Sequence, residues 1–267
     1  MKSSSANLVS LIIPAYKQEG VIEKDLIYIK KVMDQLRYDY EMIVVVDGDV
    51  DKTMENAKKV RSSKIMVTGY DHNHGKGYAI RYGMGKANGD IIGFIDSGMD
   101  LNPSGLSLLL EHFEWYDADI VIGSKRHPAS KVNYPFDRKV ISLLSQVFIR
   151  VLFGLNITDT QVGMKFFRRK VLEDVLPRLL VKKFAFDIEM LVVAYNLGYR
   201  KMFEAPIELK FNFENSLVSK NLFREIFRTL LDTLAIFYRL YIRNYYSNTN
   251  KRRWVFDPEL NFPVNIG

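Results

Sequence analysis

Asp90-Ile91-Ile92-Gly93-Phe94-Ile95-Asp96-Ser97-Gly98-Met99-Asp100 is the stretch on which the fold turns. An apolar run from Ile91 to Ile95 stops at one carboxylate, Asp96, and a second follows at Asp100. A short, near-continuous apolar run predicts a strand covered on both faces, as in parallel sheets. In open α/β sheets, ligands bind beyond the carboxyl ends of the strands. A strand that ends in an acid is therefore building a site, and two hard oxygen ligands there suit a divalent cation carrying phosphates.

The same pattern repeats on either side. Val9–Tyr16, Glu41–Asp47, Lys64–Thr68, Asp90–Asp96 and Ala118–Ser124 read as strands. Val21–Leu36, Lys52–Arg61, Gly77–Ala87 and Ser104–Tyr116 read as the helices between them, and such alternation predicts a parallel α/β sheet. Three strands run into polar or acidic ends: Tyr16-Lys17-Gln18-Glu19, Asp47-Gly48-Asp49 and Asp96 to Asp100. All three ends would share one edge and one crevice.

Beyond residue 130 the pattern changes. Arg138–Phe153 predicts an apolar helix, Asn156–Gly163 a loop, and Arg168–Leu179 and Asp187–Asn196 two more helices. Arg200–Phe213 reads as a short hairpin or bent strand, and Leu222–Tyr246 as a long amphipathic helix. The tail after Lys251, with Pro258 and Pro263, carries no readable period, and no internal repeat or low-complexity tract is present. This divides the chain into residues 1–215, a catalytic domain, and 216–267, a basic amphipathic helix and tail.

The 267 residues, 48% of them hydrophobic, suffice for one large domain or a domain with an appendage. Cysteine is absent, which excludes disulfides and thiolate metal sites and fits a reducing compartment. The short polar start, Met1 to Asn7, does not read as a signal peptide. No apolar run reaches the ~18 residues of a membrane span. The net charge of +7 sits almost wholly in one segment, where Lys220, Arg224, Arg228, Arg239, Arg243, Lys251, Arg252 and Arg253 stand against Glu225 and Asp232. A local basic surface implies an anionic partner. Without a recognised nucleic-acid motif, that partner is not expected to be nucleic acid.

Asp47 closes a strand, where its carboxylate can accept hydrogen bonds from a base N–H or a ribose hydroxyl. Asp51 and Thr53 stand where a helix begins, so a turn and an N-cap explain Asp49 to Thr53 equally well. Asn73-His74-Gly75-Lys76-Gly77 is neither a P-loop nor a Gly-x-Gly-x-x-Gly fingerprint. It places a lysine between glycines at a helix N-terminus, where backbone N–H groups and a cation can meet an anion. His72 and His74 have no third ligand nearby and read as a solvated loop. Asp100 or Asn102 could also serve as an N-cap for the helix around Pro103–Leu110.

Taken in order, these elements resemble the family 2 glycosyltransferases of GT-A fold. The matching pieces are Ile13-Pro14-Ala15-Tyr16, Val46-Asp47-Gly48 with Asp51 and Thr53, Gly75-Lys76-Gly77, Gly89-Asp90 leading into Asp96, and Ile122-Gly123-Ser124-Lys125. Asp159-Thr160-Gln161-x-Gly163-x-Lys165 and Phe186-Asp187-x-Glu189 narrow the resemblance to the branch of dolichyl-phosphate β-glucosyltransferases and polyprenyl-phosphate mannose synthases, with the first form nearer the glucosyl side. The resemblance implies that Pro14, Ala15, Tyr16, Glu19 and Asp47 line the nucleotide pocket, with Gly75, Lys76, Asp96, Ser97, Lys125 and Arg126 also on the nucleotide sugar. Arg126, Arg138 and Lys165 would meet the acceptor phosphate, and Asp96, Asp159 and Arg138 would be catalytic. Asp187 and Glu189 would begin a helix facing the site, although acidic residues in a first turn also complement the helix dipole with no catalytic duty.

The departures from the family pattern are informative. Lys17-Gln18 replaces the usual Asn-Glu, with Glu19 one place on, and Val46 replaces an acid. Gly98 stands where the second acid of Asp-x-Asp normally binds metal. Asp100 then becomes the expected main ligand of Mg²⁺ or Mn²⁺, helped by Asp96.

The expected donor is UDP-glucose or GDP-mannose, glucose preferred, and the expected acceptor is a polyprenyl phosphate. Its phosphate is largely deprotonated at neutral pH and needs no strong base. Arg138–Phe153 and Leu222–Tyr246 offer apolar faces beside basic residues, as interfacial helices do, which predicts a peripheral protein on the cytoplasmic face of a membrane. The other cover for those faces is the domain itself or a second copy in a homodimer. The alternative functions are transfer to a saccharide or other hydroxyl, with Asp159 or Asp187 as base, and a degenerate module that binds donor without turnover.

Overall fold

The computed structural model describes residues 8–98, 100–133, 136–210, 222–247 and 253–265. Its centre is a sheet of seven strands in the order β3-β2-β1-β4-β7-β5-β8. These are β1 (Val9–Ala15), β2 (Tyr40–Asp47), β3 (Ile65–Tyr70), β4 (Ile91–Ile95), β5 (Ile120–Ser124), β7 (Met164–Arg168) and β8 (Met202–Pro206), with β6 (Lys131–Asn133) and β9 (Glu208–Lys210) forming a separate parallel pair. β1 lies between β2 and β4, and every one of its residues is buried. That two-sided burial explains the unbroken Ile/Val runs, since alternation appears only where one face meets water.

Every pairing in the large sheet is parallel except those of β7, which runs against both β4 and β5. The parallel strands are joined by α1 (Ile22–Met33), α2 (Thr53–Lys59), α3 (Lys76–Met84) and α4 (Gly105–Trp115). α5 (Phe136–Phe153) precedes β7, and α6 (Arg169–Val175) and α7 (Phe186–Asn196) follow it. The five strands expected from the sequence are present. β7 is not among them, because Met164–Phe167 falls between a segment read as loop and one read as helix.

The C-terminal segment departs from the expected single helix. α8 (Leu222–Phe237) gives way to a π-helical turn over Tyr238–Ile242, closed by Arg243 N–H donating to Tyr238 O. The chain then turns inward to bury Tyr245 and Tyr246. The tail expected to be patternless contains an antiparallel hairpin, β10 (Trp254–Asp257) and β11 (Phe262–Asn265). Asn261 donates to Gly85 O at the end of α3 (2.9 Å), and Leu260 is buried there. Ile236, Leu240, Tyr246 and Leu260 thus join the core built by the sheet rather than a core of their own. Among the described residues no helix is long and apolar enough to cross a membrane.

α5 and α8 touch through Phe153 and Phe237, whose ring centroids lie 6.3 Å apart. Each buries one side, with Ile149 and Phe153 from α5 and Ile236 from α8. Each also exposes apolar residues: Leu144 and Val151 are 66% and 78% exposed on α5, and Phe227 and Leu231 are 60% and 49% exposed on α8.

Candidate active site

The carboxyl ends of β1, β2, β4 and β5 and the start of antiparallel β7 meet at one edge, as the acidic strand ends predict. Asp96 follows β4. Its N–H donates to Gly163 O (2.8 Å), and its carboxylate lies so close to Gly163 that a Cβ there would fall 1.9 Å from Asp96 Oδ2. Lys76, at the start of α3, places Nζ 2.8 Å from Asp96 Oδ1 and 2.9 Å from Oδ2, and 3.6 Å from Asp187 Oδ2. Asp187 in turn accepts from Lys165 Nζ at 2.5 Å. Lys76 and Lys165 respond oppositely. Burial pulls both ammonium groups down, but at Lys76 the charges of Asp187 and Asp96 outweigh it and hold the group above its ordinary value. At Lys165 burial wins over Asp187, Lys76 repels, and the group sits below its ordinary value.

This arrangement corrects one expected role. Lys165 is fully buried, and its ammonium is shared between Asp187 and Val162 O. It cannot touch an acceptor phosphate and instead holds Asp187 beneath Lys76. Asp187 accordingly does more than complement a helix dipole. Glu189 does not enter the site. It accepts from the N–H groups of Leu180 and Val181 and from Tyr246 Oη (2.6 Å), so it fastens the chain after α8 to the segment before α7. Burial raises the Glu189 pKa, against those hydrogen bonds. Folding therefore takes up a proton between the ordinary glutamate pKa and the raised one, and stability falls as pH climbs through that window. Glu189→Gln is expected to abolish this slope, read as the difference in urea midpoints between parent and variant from about pH 4 to pH 7.

The α3 N-terminus is also not open as expected. The N–H groups of Gly77 and Tyr78 both donate to Lys182 O (2.9 and 3.3 Å), so a backbone carbonyl takes the place foreseen for an anion. Gly75 N–H donates to Asp47 Oδ2 (3.0 Å), and Asp47 also accepts from Tyr70 Oη, Asn73 Nδ2 and His74 N–H. The Asp47 carboxylate is buried, and in this structure it anchors the 73–75 loop. Pro14 and Ala15 are buried at the end of β1, where Ser97 Oγ donates to Pro14 O (2.8 Å) and ties the ends of β1 and β4 together. Tyr16 is partly exposed. Glu19 Oε2 accepts from Lys52 N–H ahead of α2, and Gln18 N–H donates to Thr53 Oγ1.

On the far side of β7, Ser124 ends β5 and Lys125 follows. Asp159 Oδ2 accepts from Lys125 N–H (3.1 Å) and lies 3.3 Å from Lys125 Nζ. Arg126 Nη2 donates to Ser142 Oγ in α5 (3.2 Å), which turns the guanidinium toward that helix. Glu204 of β8 accepts from Thr158 N–H, Thr158 Oγ1 and Asp159 N–H and fixes the loop from below. Only its alternation within a strand could have signalled this. Arg138 falls in α5, but its side chain lies outside the described residues.

Asn102 answers the capping question at α4. Its Oδ1 accepts from Ser104 N–H and from Tyr28 Oη. Ahead of it, Gly98 has φ +110°, and its N–H donates to Asp25 Oδ2 at 2.7 Å. Asp25 is a buried carboxylate on α1 that sequence reading passed over because it sits inside an amphipathic helix. Burial raises its pKa, the Gly98 N–H opposes, and the nearby Asp100 charge adds to the rise. Among the described residues Asp25 Oδ1 has no hydrogen-bond partner, and Asp96 Oδ1 meets Lys76 without hydrogen-bond alignment. Among the described residues no three acidic or imidazole groups stand assembled as a metal cage. The donors present are hard carboxylate oxygens with unmet hydrogen-bonding capacity, which fits Mg²⁺ or Mn²⁺ held by one or two carboxylates together with substrate phosphates.

Solved structures share this architecture. The mannosyl-3-phosphoglycerate synthase of Rubrobacter xylanophilus superimposes with a TM-score of 0.69 at 16% identity, over 95% of this chain and 84% of that one. The glucosyl-3-phosphoglycerate synthase of Mycobacterium tuberculosis, solved with Mn²⁺, UDP-glucose and phosphoglyceric acid, gives a TM-score of 0.64 at 19% identity, over 94% and 84%. The fold is the GT-A fold of glycosyltransferases. Residues 10–176 match the family described as Glycosyl transferase family 2, and the chain belongs to that family. It is 32% identical over 251 residues to a dolichyl-phosphate beta-glucosyltransferase of Trichomonas vaginalis, covering 88% of this chain and 75% of the relative. It is 32% identical over 213 residues to the Drosophila melanogaster enzyme of the same name, covering 74% of this chain and 65% of the relative. The chain thus spans less than two thirds of the Drosophila protein's length.

Proposed function

We propose that this glycosyltransferase moves glucose from UDP-glucose to a polyprenyl or dolichyl phosphate, in one displacement that inverts the anomeric carbon. The observation that carries this reading is a set of basic side chains at the sheet edge, Lys76, Lys125 and Arg126, the last of which reaches α5; that helix, and α8 packed against it, expose apolar residues. A phosphate acceptor with a hydrocarbon tail needs both. The names of the relatives favour glucose and dolichyl phosphate, and the solved neighbours' ligands favour a uridine diphosphate donor.

An acceptor phosphate oxygen bonds to the anomeric carbon as the bond from that carbon to the diphosphate oxygen breaks. With a second pKa of about 6, the phosphate arrives deprotonated. Catalysis then rests on position and charge. Lys76 holds the Asp96 carboxylate at the floor of the site, toward the donor sugar and ribose. Lys125 and Arg126 balance the phosphates of donor and acceptor. Asp159 orients Lys125 through both its N–H and its Nζ, and that commitment disfavours the hydroxyl-acceptor alternative, in which Asp159 would be the base. Asp96 and Asp100 would hold a divalent cation, which when bound neutralises charge on the leaving diphosphate.

A panel of UDP- and GDP-sugars assayed against a short polyprenyl phosphate with Mg²⁺ or Mn²⁺ tests the reading. Transfer from UDP-glucose is expected, and the absence of transfer from every donor overturns it.

The acceptor places the enzyme at a bilayer, on its cytoplasmic face. Phe227, Leu231 and Leu234 are exposed on α8, with Arg224 and Arg228 on the same helix. Each apolar side chain withdrawn from water contributes about 1.5–3 kcal/mol. Replacing all three with serine is therefore expected to weaken binding to anionic vesicles at least about tenfold, measured by co-sedimentation, while added salt weakens the parent as well. Dimerisation in solution with unchanged vesicle binding would assign the face to a second copy instead.

A further inference from the structure

Gly98 removes the carboxylate that an Asp-x-Asp motif presents to metal, and the geometry around it shows what this chain has in exchange. At φ +110° the residue is in a backbone region strained for any side chain. In that conformation its N–H reaches Asp25 Oδ2 at 2.7 Å. A Cβ built on Gly98 would meet no backbone; its nearest neighbours are the Gln18 amide atoms, at 3.7 and 3.9 Å. The volume a residue 98 side chain would take is therefore open, bordered by the segment that leads from β1 into α1. On α1, Asp25 is 1% exposed and its second oxygen has no partner among the described residues. A buried carboxylate oxygen with nothing to bond is costly. Asp96, meanwhile, is already engaged by Lys76.

We propose that Asp25 is a further protein carboxylate of the cation site, beside Asp96 and Asp100, in place of the side chain that position 98 lacks. The exchange is internally consistent, because the glycine that forfeits a ligand also permits the backbone turn that brings the loop onto Asp25. Carboxylate oxygens and the donor's phosphates form a hard donor set of the kind Mg²⁺ and Mn²⁺ take. The inference rests on the metal-assisted reading above.

Asp25→Asn separates a ligand from a structural acceptor, since the amide oxygen can still receive the Gly98 N–H while the charge is gone. The full chain, saturated with UDP, would be titrated with Mn²⁺ and followed both by thermal unfolding and by the electron paramagnetic resonance of free Mn²⁺. The parent is expected to bind and be stabilised. The variant is expected to need at least tenfold more Mn²⁺ for half-saturation, while its metal-free Tm equals or exceeds that of the parent because a buried repulsion with Asp100 is relieved. Equal Mn²⁺ affinity in the two proteins overturns the proposal. So does a metal-free Tm of the variant well below the parent's, which assigns Asp25 a structural part. A parent that neither binds Mn²⁺ nor is stabilised by it brings down the cation reading itself, and this inference with it.

Discussion

Asp187→Ala is expected to cost about 3–5 kcal/mol of unfolding free energy, the usual consequence of leaving one partner of a buried ion pair alone. Lys165 has no exposed surface, and besides Asp187 its ammonium donates to a carbonyl, Val162 O, and lies over the Phe94 ring. The loss should depend on pH. Lys165 already titrates below its ordinary value, so the unfolded chain holds more protons between that lowered pKa and the free-lysine value of about 10.4. Stability therefore rises with pH across this window. Removing Asp187 lowers the folded pKa further and extends the window downward, so the deficit of the variant shrinks toward alkaline pH. Urea denaturation of parent and variant at several pH values measures it. Asp187→Leu combined with Lys165→Met should recover most of the loss, because an apolar pair of similar volume replaces the charges. A deficit below about 1 kcal/mol would mean that water reaches Lys165.

The second large effect falls on the reaction. Asp96→Asn keeps the shape of the side chain but removes the charge that faces Lys76 and, in the proposed reaction, the donor. A loss of about 10²–10³ in kcat is expected, roughly 3–4 kcal/mol of transition-state stabilisation. Its Tm should change little, since Lys76 retains Asp187 at 3.6 Å. Gly163→Ala is expected to reproduce much of this loss without altering any charge, because its methyl group would take the space of the Asp96 carboxylate. Steady-state glucosyl transfer checks both, and a variant of Asp96 with parental kcat would remove that residue from the reaction.

β1, β2, β4 and β5 were legible because they are largely buried on both faces and written in Ile and Val, with an acid or hydroxyl at each outlet; β3, at the edge, is only partly buried. β7 was not. It has five residues, carries a lysine, and owes its strand character to β4 and β5, which lie far away in the chain. The tail hairpin escaped for a similar reason: strands of four residues that contain Pro263 show no period, and docking on α3 completes them. Within the site, the acids at strand ends were found. Lys165 was assigned to the wrong partner because sequence gives charge but not depth. Asp25 was missed because a helical acid looks solvated until a loop from another strand closes over it. Lys182 could not have been found at all, since its contribution is a backbone carbonyl.

The antiparallel strand also acts as a spacer. β4 and β5 each deliver functional groups at their carboxyl ends, yet they are not neighbours; β7 lies between them. Adjacent strands sit about 4.7–4.9 Å apart, so the outlets of β4 and β5 are held roughly 9–10 Å from each other. The loop that feeds β7, from Asp159 to Gly163, crosses this gap. Because β7 runs backward, its beginning rather than its end lies at the outlet. The pitch of the sheet thus sets how far Asp96 stands from Lys125, and the 159–163 loop spans that interval, with Gly163 against Asp96 and Asp159 against Lys125.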